Sequence, residues 1–273
     1  MFRDGAYHFG CNTYNNKIKF QYIRLFYLYT YTSSHKVGYQ VKVITLQEAW
    51  QGKENCLNCS IRDSALFSGL NISDFESLHN PIDQFTLPAG STLYHITNDA
   101  KYLYTIRSGI IKLQQSLPDG NQRIVRLGFK ADTIGLEALL EPDYNHDAVA
   151  LSDIQVCRIP VSVVNDLSNQ NPELYKELIS RWNIALNDAD NWITKLSTGS
   201  VRQRMANLLL KLADKFDTNK CKLFSREDIG FILGVTTETA SRIIAEFKRN
   251  NLLVKQGDEY IFDLIKIESI LRI

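Results

Sequence analysis

Glu238, Ser241 and Arg242 are the side chains of this 273-residue chain whose types and spacing suit recognition chemistry. At i, i+3 and i+4 they share one face of a helix. A guanidinium such as that of Arg242 can donate two parallel hydrogen bonds to guanine O6 and N7, and a carboxylate such as that of Glu238 can accept from cytosine N4. Ser241 is short enough to touch a thymine methyl or a phosphate. The plainer alternative is a surface ion pair between Glu238 and Arg242, worth about 0.3–0.5 kcal/mol. In an arbitrary helix the plainer reading wins, so the flanking residues decide.

Those flanks spell two short helices. Ser225 followed by Asp228 is a Ser-x-x-Asp capping pattern, which starts a helix at about Arg226. Ile229, Ile232 and Leu233 fall on its inner face, and Gly234 supplies the stop. Val235 turns the chain and Thr236 caps a second helix, whose apolar stripe is Ala240, Ile243, Ile244 and Phe247. Beyond it, LLVKQGDEYIFD alternates and turns at Gly257-Asp258, the pattern of a two-stranded wing. A helix pair with a Gly-containing turn, a polar face on its second helix and a wing is the winged helix-turn-helix of DNA readers. In that setting base reading outweighs the ion pair.

Cysteine is the second chemistry-bearing residue type. Cys11, Cys56, Cys59, Cys157 and Cys221 form an odd, sparse set that does not read as a disulfide framework and suits a reducing, cytoplasmic setting. Cys56 and Cys59 are spaced for a metal, but without a second pair the signal is weak. Cys221 precedes the first reader helix and reads as a buried small residue. His35, His79, His95 and His146 have no ligand-like spacing.

The rest of the chain supplies what positions these residues. From Ser197 on there are 13 Lys plus Arg against 10 Asp plus Glu, compared with 18 against 20 before it, a mild basic bias toward the C-terminal domain. No run of about 18 uncharged apolar residues indicates a membrane span. Residues 1–45 form an aromatic-rich extension with seven of the 13 tyrosines. Because Met1 and Met205 are the only methionines, this segment is read either as a mis-called start upstream of a non-Met codon or as a genuine arm. Mass spectrometry of the native N-terminus separates the two.

The fold expected is α+β. Residues 46–168 form a β-roll sensor domain with an N-terminal Cys segment. Its strands STLYHI, YLYTIRSG, IIKLQQS, RIVRLGF, AVALS and IQVCRI are separated by Gly, Pro, Asn and Asp turn signals. Residues 169–196 carry a long helix from about Pro172, in which Leu174, Leu178, Trp182, Ala185, Ala189, Trp192 and Leu196 make a near-heptad seam suited to a homodimer. The alternative is a helix packed on its own β-domain. Residues 197–273 hold the winged helix-turn-helix.

In this order these parts resemble the CRP/FNR family, that of the cyclic-AMP receptor protein and the anaerobic regulator FNR, from about Cys56 to the C-terminus. The most specific segment is DIGFILGVTTETASRIIAEF, where Glu238, Ser241 and Arg242 match the Glu-x-x-Ser-Arg of the FNR-like branch. The resemblance implies a dimeric regulator of double-stranded DNA with TTGAT half-sites in an inverted repeat, acting with RNA polymerase. It implies a signal received at the roll. A cyclic nucleotide is disfavoured, because His146-Asp147 stand where that branch has Arg-Ser and Asp147 would repel a phosphate. FNR-type proteins hold an iron–sulfur cluster on Cys-x2-Cys-x5-Cys and a distant fourth cysteine. Cys56, Cys59 and Cys157 match three of these positions, and the remaining one falls on Ala65. Three readings follow: a remnant, a cluster with a non-cysteine ligand, or a Cys56–Cys59 redox switch. The cofactor is thus unknown, with the iron–sulfur cluster not favoured. One rival reading is a cyclic-nucleotide-responsive protein whose helix-turn-helix is only a protein-interaction module. The other is a cupin-like metalloenzyme, which would need convergent His and carboxylate ligands, and the roll offers His95 and His146 without a His-x-His pair.

Overall fold

The computed structural model describes residues 50–53, 66–68, 70 and 82–272. The 1–45 extension, Cys56, Cys59 and Ala65 lie outside the described residues. The roll is built from strands β1 (Trp50–Lys53), β2 (Asp83–Leu87), β3 (Thr92–Tyr94), β4 (Tyr102–Ser108), β5 (Ile111–Ser116), β6 (Gln122–Gly128), β7 (Thr133–Ile134), β8 (Asp147–Ala150) and β9 (Ile154–Pro160). They form a sheet of order β1-β2-β9-β4-β7 facing one of order β3-β8-β5-β6. Pairing is antiparallel throughout. The alternation of buried and half-buried residues along β2, β5 and β8 is that of two-layer packing, with one face of each strand inward. The six expected strands are present. The others, β1, β2 and β7, escaped the sequence pattern because WQGK and DQFTL are rich in polar residues and β7 is only two residues long.

Behind the roll come α1 (Val161–Gln170) and α2 (Pro172–Asn191), then a single π turn over Trp192–Leu196. Asn171 caps α2 by accepting from the backbone N–H of Glu173 and Leu174, with Pro172 at the first helical position. The C-terminal domain consists of α3 (Val201–Phe216), β10 (Lys220–Cys221), α4 (Arg226–Leu233), α5 (Thr237–Arg249), β11 (Leu253–Gln256), β12 (Glu259–Phe262) and α6 (Leu264–Ser269). β10, β12 and β11 make the wing sheet.

The seam on α2 differs from the expectation. Leu174 and Leu178 are buried in a core with Val163, Val164 and Leu167 of α1, while Trp192 and Leu196 are buried with the C-terminal domain. Of the apolar residues left outward, Tyr175, Ile179, Trp182, Leu186 and Ile193, each between 40% and 62% exposed, form a row with half-buried Ala189 among them, and Ile184 is exposed off that row. The row's spacing is also 4, 3, 4, 3 and 4, one residue out of step over most of the helix. At 100° per residue its members stay within about 40° of one line. The expected seam therefore splits: Leu174, Leu178, Trp192 and Leu196 make an inner row that serves the protomer's own core, while Trp182 and Ala189 belong to the outward row.

Candidate nucleic-acid interface

The two-helix unit is closed by its caps. Ser225 Oγ accepts from Asp228 N at 3.0 Å and donates to Asp228 Oδ2 at 2.6 Å, so the first turn of α4 is held at both groups. Gly234 ends α4 at φ 63°, in the left-handed region that a side chain disfavours. Gly230 has a different role. A Cβ there would lie 2.8 Å from the Val235 carbonyl oxygen, so the bare backbone lets the turn fold back on α4. Thr236 Oγ1 accepts from Thr239 N at 3.3 Å and starts α5.

On α5 the apolar stripe Ala240, Ile243, Ile244 and Phe247 is buried, against the α4 residues Ile229, Ile232 and Leu233. The opposite face carries Thr237, Glu238, Arg242, Ala245 and Arg249, all exposed, with Ser241 half-buried between them. Arg242 Nη2 donates to Thr239 Oγ1 at 3.1 Å, and among the described residues it has no carboxylate within ion-pair distance. The Glu238 carboxyl is held below its usual range, first by its own backbone N–H, then by the Thr236 hydroxyl, and last by the Arg242 charge. Near the N-terminus of a helix, an ionised acceptor is the species the exposed backbone N–H groups favour. The wing is tied to this helix by Lys248, whose Nζ donates to Tyr260 Oη at 2.7 Å. A donor fork and a carboxylate acceptor thus stand on one open helical face.

Residues 203–269, spanning this unit, match the family model of the Crp-like helix-turn-helix domain, and residues 84–171 match that of the cyclic nucleotide-binding domain. The chain belongs to the CRP/FNR family. It is a DNA-binding transcription regulator of that type. The fumarate and nitrate reduction regulatory protein of Yersinia pestis is 29% identical over 210 residues, covering 74% of this chain and 84% of that protein. The protein of the same name from Escherichia coli K12 matches to the same extent. Among solved structures, FixK2 from Bradyrhizobium japonicum aligns with a TM-score of 0.63 at 22% identity, over 69% of this chain and 96% of that one. TTHB099, a CRP-family regulator from Thermus thermophilus, gives 0.60 at 22%, over 67% and 94%. At such identities the two structures speak for the fold.

Within the CRP/FNR roll, three tyrosines are buried in the core beside Phe85, Leu93, Ile106, Leu113 and Val156. Tyr94 stacks on Tyr144 with ring centroids 3.9 Å apart and on Tyr104 at 5.6 Å. Tyr144 Oη donates to the Tyr102 carbonyl at 2.7 Å. Burial raises the phenols of Tyr94 and Tyr104 well above their ordinary range and that of Tyr144 to about 12, so all three are neutral at physiological pH. His95 and His146 do not converge inside it. The His95 side chain is 65% exposed, with Nδ1 3.4 Å from Asp147 Oδ1, whereas His146 Nδ1 lies 3.9 Å from Glu137 Oε1. Asp147 also accepts from Ile96 N at 2.8 Å.

Of the three candidate metal cysteines only Cys157 is within the described residues. It is buried on β9 and receives a long hydrogen bond from Arg107 Nη1 at 3.8 Å. Leu66, Phe67 and Leu70 share its core cluster. β1, before the Cys56–Ala65 stretch, pairs with β2, which pairs with β9. The chain on both sides of that stretch is therefore anchored on the sheet that carries Cys157. Cys221 is buried as expected, and burial first, with the Glu259 charge second, pushes its thiol up to about 11.

Proposed function

We propose that this regulator works as a homodimer that reads an inverted repeat of TTGAT half-sites, with Glu238, Ser241 and Arg242 making the base contacts. The observation that carries this reading is the open face of α5, where Glu238 and Arg242 are both exposed and Arg242 has no carboxylate partner among the described residues. Arg242 would take the guanine of the half-site and Glu238 the cytosine opposite. The outward row Tyr175, Ile179, Trp182, Leu186 and Ile193 supports pairing through α2, because five partly exposed apolar residues at heptad spacing are what a partner helix buries. Two subunits would present their α5 helices to half-sites about one helical turn apart. RNA polymerase is the expected partner of the DNA-bound dimer, and the cytoplasm its compartment.

The roll is proposed to receive a redox, oxygen or other small signal. The tyrosine stack within the packed core and Asp147 in place of a phosphate-binding residue both speak against a cyclic nucleotide. An iron–sulfur cluster on Cys56, Cys59 and Cys157 would need a fourth ligand that is not cysteine. Purification without oxygen, an absorption spectrum and an iron assay decide it, and a colourless, iron-free protein that still binds DNA removes the cluster. The reading of DNA is tested by titrating the full chain against a palindromic TTGAT duplex and a scrambled one at several salt concentrations. Salt-dependent binding with no preference between the duplexes would overturn it.

A further inference from the structure

The β5–β6 hairpin grips the first helix of the reader unit. Lys112 Nζ, on β5, lies 2.7 Å from Asp228 Oδ1 on α4, and both side chains are more than four-fifths buried. The two residues are 116 positions apart in sequence. On β6, Arg123 donates through Nη1 to the Phe231 carbonyl at 3.3 Å and through Nη2 to Ser197 Oγ at 3.1 Å, reaching both α4 and the segment that enters the C-terminal domain. The same hairpin contributes Ile124 and Leu127 to the core containing Ile229, Ile232 and Leu233. The grip leaves the Arg242 side of α5 open.

We propose that Lys112 is a positioning residue for DNA reading, which sets the orientation of α5 by fixing α4 on the sensor roll. It touches no base. Its effect passes through Asp228, which is held from two sides, by Lys112 on Oδ1 and by the capping Ser225 on Oδ2. A carboxylate in the first turn of a helix is also favoured by the helix dipole. Replacing Lys112 with methionine therefore removes the interdomain bond while α4 keeps its cap, and the methionine chain retains the apolar stem. A signal that moved the hairpin would move the reader helix with it, because the bond is short and shielded from water.

The test uses the full chain and rests in one arm on the TTGAT reading. K112M is expected to bind the TTGAT palindrome about five- to tenfold more weakly than wild type while keeping the same ranking of base-substituted duplexes. K112R should recover to within about twofold, and K112M/D228N should be no weaker than K112M, because both remove the same bond. Wild-type affinity in K112M, tighter binding, or additive losses in the double variant would each overturn the proposal. The second arm is independent of the DNA sequence. Hydrogen exchange of peptides covering 225–234 and 110–128 should accelerate in K112M and return in K112R, with β9 unchanged. If wild type does not prefer TTGAT, the half-site reading fails alone and exchange decides the grip. Unchanged exchange in 225–234 would then overturn it.

Discussion

Arg242 donates to Thr239 and, among the described residues, to no carboxylate, so its removal should be felt by DNA and hardly by the fold. R242A is expected to lose about 1–3 kcal/mol per half-site and to stop discriminating at the guanine. Binding isotherms on duplexes substituted at that base are the check, and intact discrimination would assign the guanine to another residue. Cys221 gives a residue-scale prediction of a different kind. With its thiol raised to about 11 by burial, it is almost wholly protonated at pH 8 and should alkylate with iodoacetamide at least about tenfold more slowly than an unhindered thiol. Tracking the Cys221 peptide by mass spectrometry reads this out. The same raised value has a sign for stability. The unfolded thiol ionises from about pH 8.5 and the folded one only near 11, so the contribution is full below about 8.5 and fades as pH rises between the two. Both residues were legible in the sequence because their settings are local, a helix face and a short strand beside a cap. The tyrosine stack was not, since Tyr94, Tyr104 and Tyr144 come together only when β3, β4 and the loop before β8 fold over one another.

Among the elements, the helix-turn-helix could be read to the residue. Ser225, Gly234 and Thr236 bond to neighbours three or four positions away, and such information survives in a linear string. Helix α2 shows the opposite case. Its period was plain, yet a 4-3-4 row states only that something covers a face, and the inner row at Leu174 and Leu178 proved to be covered by α1. The two rows give opposite predictions. L186E on the outer row should leave the protomer folded and shift it from dimer to monomer in sedimentation, with DNA affinity lost alongside. L178A on the inner row should cost about 2–5 kcal/mol in unfolding and leave the association state intact. A dimer that survives L186E would move the pairing surface elsewhere. Gly230 belongs at this scale too. G230A should open the turn between α4 and α5, lowering DNA affinity more than the helix propensity gained by alanine would suggest.

For the whole molecule, the two family matches, residues 84–171 and 203–269, describe separate modules, and the sequence reads as modules for the same reason. The contacts joining them are between residues far apart in the chain, such as Lys112 with Asp228, Arg123 with Phe231 and Phe129 with Phe216, and no local pattern announces them. One apolar cluster takes Ile110, Ile124, Leu127 and Phe129 from the roll, Trp192 and Leu196 from the end of the long helix, and Met205, Leu209, Ile232 and Phe247 from the reader domain. Separating the modules would open that cluster to water on both sides. Melting should therefore be a single cooperative transition, with calorimetric and van't Hoff enthalpies in agreement per protomer. Two resolved heat-absorption peaks would show that the modules come apart before either unfolds. If they melt together, a roll destabilised by oxidation or a lost ligand would lower the thermal tolerance of the DNA-binding half as well, and growth temperature itself would become an input to promoter occupancy.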